Sequence, residues 1–168
     1  ANYKKKDIAG MTASEQLEKI NERTRELVTL QYNTYNRSLV PLMHQHGIVV
    51  MDAFEDLSES QAAFVDRYFE DNVYPVLTPM AVDASRPFPL IRNKTLNIAA
   101  LLSKKKGKAE KEEIEFATVQ VPSVLPRLVH IPSEDGNEKT FILLEQVIER
   151  NIDKLFLNYD VLCAYPYR

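Results

Sequence analysis

Leu77-Thr78-Pro79-Met80-Ala81-Val82-Asp83-Ala84-Ser85-Arg86-Pro87-Phe88-Pro89 divides this chain into two parts of different character. Upstream, apolar residues recur at helical spacing; downstream, they fall into short runs separated by turn residues. Proline fixes φ, lacks an amide donor and biases the preceding residue toward extended backbone. Thr78, Arg86 and Phe88 are therefore turned away from helix. The expectation is a stiff loop without regular structure that holds Asp83 and Arg86 in place, anchored by a buried Phe88.

Upstream, Thr12-Ala13-Ser14-Glu15 has the form of a capping box and predicts a long helix. Leu17, Ile20, Leu27, Val28, Tyr32, Tyr35, Leu39 and Leu42 mark its apolar stripe, with Glu18, Lys19, Glu22, Arg25 and Glu26 between them. Pro41 should kink the helix or separate a last turn that ends with Gly47 as the residue beyond the cap. Residues 48–51 read as a short buried strand. A second capping box, Ser58-Glu59-Ser60-Gln61, opens another helix with Phe64, Val65, Tyr68 and Phe69 on its apolar side.

Downstream, strands are predicted at 95–102, 114–121, 127–131, 139–143 and 160–167, with one further helix after Leu143. Residues 104–113 hold mostly lysine and glutamate and predict a mobile hairpin tip. Tyr165 and Tyr167 share one strand face, which awaits a neighbour. The fold class is α+β: a long N-terminal helix and a second helix, then a mainly antiparallel sheet with one further helix. Residues 1–47 are expected to form a long helical segment, either the tail of a preceding domain or the start of the next, and 48–168 a domain truncated at its C-terminal end. The first residue is not methionine and the last lies within a strand, which leads us to expect a piece of a longer protein.

The 168 residues carry a net charge of −3, and 45% are hydrophobic. The basic residues number 8 in 1–72 and 13 in 73–168, against 12 acidic residues in each part, so no strong positive field marks a nucleic-acid binder. No apolar run approaches the ~20 residues of a membrane span, and Asp7 stands where a signal peptide would need apolar sequence. The single cysteine, Cys163, excludes an internal disulfide and reads as a small buried hydrophobe. The expected location is the cytoplasm, with peripheral membrane association as the alternative.

Four glycines are too few for a glycine-rich phosphate cradle, and neither GxxxxGK[ST] nor HExxH occurs. His44 and His46 lack a further histidine or cysteine nearby to complete a tetrahedral metal set, and His130 reads as a strand residue. Asp52, Glu55 and Asp56 read as a solvated turn before a helix.

In order along the chain stand Asp7-Ile8-Ala9-Gly10-Met11-Thr12, Pro75-Val76-Leu77-Thr78-Pro79, Asp83, Pro87-Phe88-Pro89, Asn93 and Leu96-Asn97. Val119-Gln120-Val121-Pro122, Leu125-Pro126-Arg127 and Phe141-Ile142-Leu143-Leu144-Glu145 follow. With these anchors the sequence resembles the bacterial polyphosphate kinase family. The resemblance implies the end of an N-terminal helical domain, then most of a head domain. It implies an enzyme that moves the terminal phosphate of ATP reversibly onto polyphosphate through a phosphohistidine in later domains. ATP and Mg2+ are implied for that whole enzyme, with no cofactor in this part, which should be inactive alone. Its implied partners are the other domains of the enzyme and a second subunit, and its implied roles are subunit association and shaping of the active-site tunnel. No catalytic or metal residue carries over. The phosphate-facing or interface candidates are Asp83, Arg86, Arg92, Asn93, Lys94 and Arg127. The alternative is an autonomous nucleotide- or polyphosphate-binding module built on Arg86, Arg92 and Lys94.

Overall fold

The computed structural model describes residues 5–82, 88–104, 114–133, 136 and 138–168. The chain divides into two compact units, Ala1–Gly47 and Ile48–Arg168.

In the first unit, Asp7 organises the approach to the helix. Its carboxylate accepts from the Ala9 and Met11 amides at 2.9 and 2.8 Å and from Gln16 Nε2 at 2.7 Å. Gly10, at φ 76°, supplies the left-handed residue that this turn needs. Helix α1 (Ala13–Thr34) opens on the capping box foreseen from the sequence. The Thr12 hydroxyl accepts from the Glu15 amide at 3.3 Å, and the Thr12 amide donates to the Glu15 carboxylate at 2.7 Å.

Helical backbone continues through a π turn (Tyr35–Leu39) into α2 (Val40–Gln45). The π turn explains how Pro41 is accommodated. A proline ring clashes with the carbonyl four residues back in a regular helix, and a widened turn relieves that clash. Gly47, at φ 68°, terminates α2 as expected. No residue of α1 is buried, so its apolar stripe, including Leu17, Ile20 and Leu27, lies exposed.

The second unit is built on two sheets. One has the order β1-β6-β5, with β1 (Ile48–Val50), β5 (Leu128–Ile131) and β6 (Lys139–Leu143). Here β1 runs parallel to β6, while β5 and β6 form an antiparallel pair. The other has the order β2-β4-β3-β7, all antiparallel, with β2 (Pro79–Val82), β3 (Asn97–Lys104), β4 (Ile114–Gln120) and β7 (Tyr159–Tyr167). Helix α3 (Glu59–Tyr68) starts on the Ser58/Gln61 capping box, and α4 (Leu144–Arg150) follows β6 directly. A second π turn, Phe69–Val73, precedes Pro75 as the first precedes Pro41. The α+β class with a mainly antiparallel arrangement is as read from the sequence.

Register explains the core. Ile98 faces Val119, Ala100 faces Ala117, and Leu102 lies on the same side of β3. These side chains are fully buried or nearly so, together with Val65 and Phe69 of the α3 region, Ile131 and Ile142 of the smaller sheet, and Leu144, Val147 and Ile148 of α4.

Three expectations need correction. The proline segment is not without regular structure, since its residues 79–82 pair with β4 as an edge strand. Pro79 stands at the first position of that strand, where a missing amide donor is tolerated. Phe88 is not buried but 55% exposed. Its ring lies 5.5 Å from Phe116, which itself stands on the outer side of the sheet, so the anchor has only one side. Asp83, Arg86 and most of the 104–113 tip lie outside the described residues. Cys163, read as buried, is half-exposed because it faces Leu101 across that same outer side.

Phe69→Ala should lower stability by about 3–5 kcal/mol, because a fully buried ring is replaced by a cavity. Equilibrium urea unfolding measures this, and a loss under about 1 kcal/mol would show that Phe69 is not a core residue.

Candidate functional site

Arg92, Asn93 and Lys94 stand together in a tight turn at the entry to β3. The Arg92 carbonyl accepts from the Thr95 amide at 3.2 Å and from the Thr95 hydroxyl at 2.7 Å. Lys94 has φ 64°, a strained value for a residue with a Cβ. The buried Asn97 side chain donates to the carbonyl and hydroxyl of Thr95, both at 3.2 Å, and pins the turn from below. All three candidate side chains are exposed, and neither cation forms an ion pair with another described residue. The turn therefore presents two positive charges on a braced backbone.

Arg127 has a different fate. It lies at the entry to β5, in the other sheet, and its guanidinium forks onto Glu145 of α4. Nε donates to both carboxylate oxygens at 3.1 and 3.2 Å, and Nη2 donates to Oε1 as well. The Arg127 carbonyl accepts from the Leu144 amide at 2.7 Å, so main chain and side chain hold the same joint. The Glu145 side chain is only 7% exposed, and the Arg127 side chain 55%. The pairing holds the Arg127 guanidinium above its ordinary range. A buried carboxylate needs such a partner, and the pair is a structural clamp.

Two further charge arrangements escaped sequence reading because their partners are far apart in the chain. Arg150 forks onto Asp66, Nε to Oδ1 at 2.8 Å and Nη2 to Oδ2 at 3.0 Å, and Asn151 adds a bond at 3.2 Å. These bonds hold the Asp66 carboxyl below its ordinary range and tie α3 to α4. Glu149 is the opposite case. Burial first, then the carboxylates of Glu145 and Glu55, push it up to about 7. Spacing of four residues on α4 puts Glu149 beside Glu145, and α4 packs on the Phe54–Asp56 turn that carries Glu55.

His44 and His46 sit at the end of α2, and the His130 ring meets that of Phe141 at 5.3 Å. No three His, Cys, Asp or Glu side chains among the described residues gather as a metal-holding group. The turn of Asp52, Glu55 and Asp56 is engaged otherwise, with the Asp52 carbonyl accepting from Gln146 Nε2 at 2.6 Å. No helix among the described residues is long and apolar enough to cross a membrane.

The sequence is similar to known proteins along nearly its whole length. Residues 60–168 match the family described as Polyphosphate kinase middle domain, and residues 1–51 match Polyphosphate kinase N-terminal domain. The chain belongs to the polyphosphate kinase family. A Polyphosphate kinase from Lactiplantibacillus plantarum is 49% identical over 167 residues, covering 99% of this chain and 22% of that protein. One from Halalkalibacterium halodurans is 44% identical, covering 98% of this chain and 23% of its own length. The crystal structure of polyphosphate kinase from Porphyromonas gingivalis superposes with a TM-score of 0.74 at 25% identity, over 90% of this chain and 24% of that one. The chain thus spans roughly a fifth to a quarter of these polyphosphate kinases.

Two outcomes follow for this part of a polyphosphate kinase. Arg127→Ala should cost about 1–2 kcal/mol by leaving Glu145 unpaired, while Arg92→Ala should stay within about 0.5 kcal/mol. Urea unfolding of both variants checks this, and equal costs would refute the clamp. Glu149 binds its proton more tightly folded than unfolded, so stability falls as pH rises from 4.5 to about 7. Glu149→Gln should flatten that fall and raise the melting temperature at pH 8, with little effect at pH 4. A parallel pH profile for the variant would refute the assignment.

Proposed function

We propose that this chain is a non-catalytic part of an ATP:polyphosphate phosphotransferase, serving subunit association and forming a wall of the enzyme's tunnel. In the whole enzyme the terminal phosphoryl group leaves ATP and extends the polyphosphate by one unit, reversibly, with a phosphohistidine as carrier in domains beyond this chain. The observation that carries this reading is the ordered match to both the N-terminal and middle domains of polyphosphate kinases. The exposed apolar stripe of α1 supports an association role, because a stripe of aliphatic and aromatic residues favours a covering partner. Phosphoryl transfer works by positioning and neutralising phosphates with clustered donors and metal. The braced cations at Arg92 and Lys94 are too few for that by themselves. The cytoplasm is the proposed location, where ATP is available.

The second reading, an autonomous nucleotide- or polyphosphate-binding module using Arg86, Arg92 and Lys94, is favoured by one observation. Arg92 and Lys94 are exposed on a turn whose backbone is already ordered, so binding phosphate there would cost little conformational entropy.

Incubation of the 168-residue chain with labelled ATP, Mg2+ and polyphosphate should give neither phosphoprotein nor polyphosphate turnover. Stoichiometric label on His44, His46 or His130 would overturn the non-catalytic reading. Salt-sensitive polyphosphate binding that Arg92→Ala and Lys94→Ala abolish would establish the second reading instead.

A further inference from the structure

The four-stranded sheet has an inner side that is full and an outer side that is not. On the inner side Ile98, Ala100, Leu102, Ala117 and Val119 are at most 1% exposed. The register places Met80, Leu101, Phe116, Cys163 and Tyr165 on the other side, and Phe88 lays its ring against Phe116. Leu101 is 38% exposed and Tyr165 68%. A sheet with one face in water carries mainly polar residues on that face, whereas here apolar side chains stand among the polar ones on the outer side too. The outer positions of β3 are Asn97, Ala99, Leu101 and Ser103, and those of β4 are Ile114, Phe116, Thr118 and Gln120. Asp160, opposite Ser103, is the one acidic or basic residue among the paired outer positions of the four strands. Exposed apolar side chains gathered on the second face of a sheet mark a surface on which a further layer can pack.

We propose that the outer face of this sheet is the seat of polypeptide that follows Arg168 in the parent polyphosphate kinase. The inference rests on the reading of the chain as part of that longer enzyme. The chain spans 22% of its Lactiplantibacillus plantarum relative, and its first 51 residues already match the N-terminal domain, so most of the remaining length lies downstream. Strand β7 is the edge of the sheet, bonded to β3 on one side only, and it carries Cys163 and Tyr165. Polypeptide continuing from β7 emerges at the border of the apolar face. Covalent continuation gives that segment a high effective concentration there, an advantage a separate molecule lacks. The hydroxyls of Thr118 and Tyr167, 2.7 Å apart, satisfy each other and leave an apolar surface for the occupant.

Cys163, the chain's single cysteine, is a probe within the face. Its alkylation rate is compared in the 168-residue chain and in a full-length Lactiplantibacillus plantarum polyphosphate kinase that carries these residues in place of its own. Peptide mass mapping follows the one thiol in both. Alkylation at least about tenfold slower in the full-length protein is expected, since a covered thiol reacts only after local opening. Equal rates in a full-length protein that makes polyphosphate would overturn the inference while leaving the proposed function standing. Equal rates with no polyphosphate formed would overturn both. Protection that disappears when dilution makes the full-length protein monomeric by light scattering would assign the face to a second subunit and overturn the inference too. Leu101→Lys supplies a readout free of the thiol. It should leave the melting temperature of the 168-residue chain nearly unchanged and lower that of the full-length protein by several degrees. Equal shifts in both would also refute the seat.

Discussion

Strand β3 is the constraint on which the second unit depends. It hydrogen-bonds to β4 on one side and β7 on the other, across nearly its whole length. Its alternate residues Ile98, Ala100 and Leu102 set which side of the sheet is dry. Because side chains alternate with a period of two, a one-residue slip would drive Asn97, Ala99 and Leu101 into the core and Leu102 into water. Burying Ile98 and Leu102 is worth about 2 kcal/mol each, which makes that slip costly. The turn at 92–95, braced by Asn97, sits at the start of the same strand, so the two exposed cations inherit their placement from it.

The helices are held to this framework by charge pairs as well as by apolar packing. Arg127 with Glu145 fixes the start of α4, and Arg150 with Asp66 ties its end to α3. Lys154 adds an exposed bond to Glu70 at 2.6 Å while standing 5.8 Å from the centre of the Phe69 ring. Forked arginine–carboxylate pairs supply geometry as much as energy. They join the two short helices to each other and α4 to the entry of β5. The cost of this arrangement is concentrated at Glu149, which shares its surroundings with two other carboxylates and keeps its proton to nearly neutral pH.

Some misreadings have a common origin. Prolines lower the expectation of a strand, and that rule concealed β2, because edge position at the first residue of a strand removes the objection to Pro79. Flanking prolines point Phe88 inward and an apolar run points Cys163 inward, but neither signal tells which surface of the folded sheet the side chain meets. Arg127 stands among the phosphate-facing or interface candidates because its carboxylate partner is 18 positions away and on another element. Asp66 and Arg150, 84 positions apart, gave no signal.

What the sequence determined by itself was local. Both capping boxes, the terminating Gly47, the strand runs and the α+β order follow from hydrogen bonds and periodicities that span a few residues. The family resemblance was legible for a related reason, since ordered anchors in one dimension need no fold to be recognised. Tertiary structure alone decided which face of each strand is inside, which arginines are spent on carboxylates and which remain exposed, and that Glu149 is forced toward neutrality. These depend on desolvation and on charges brought together from distant positions, and neither has a magnitude until the chain has folded.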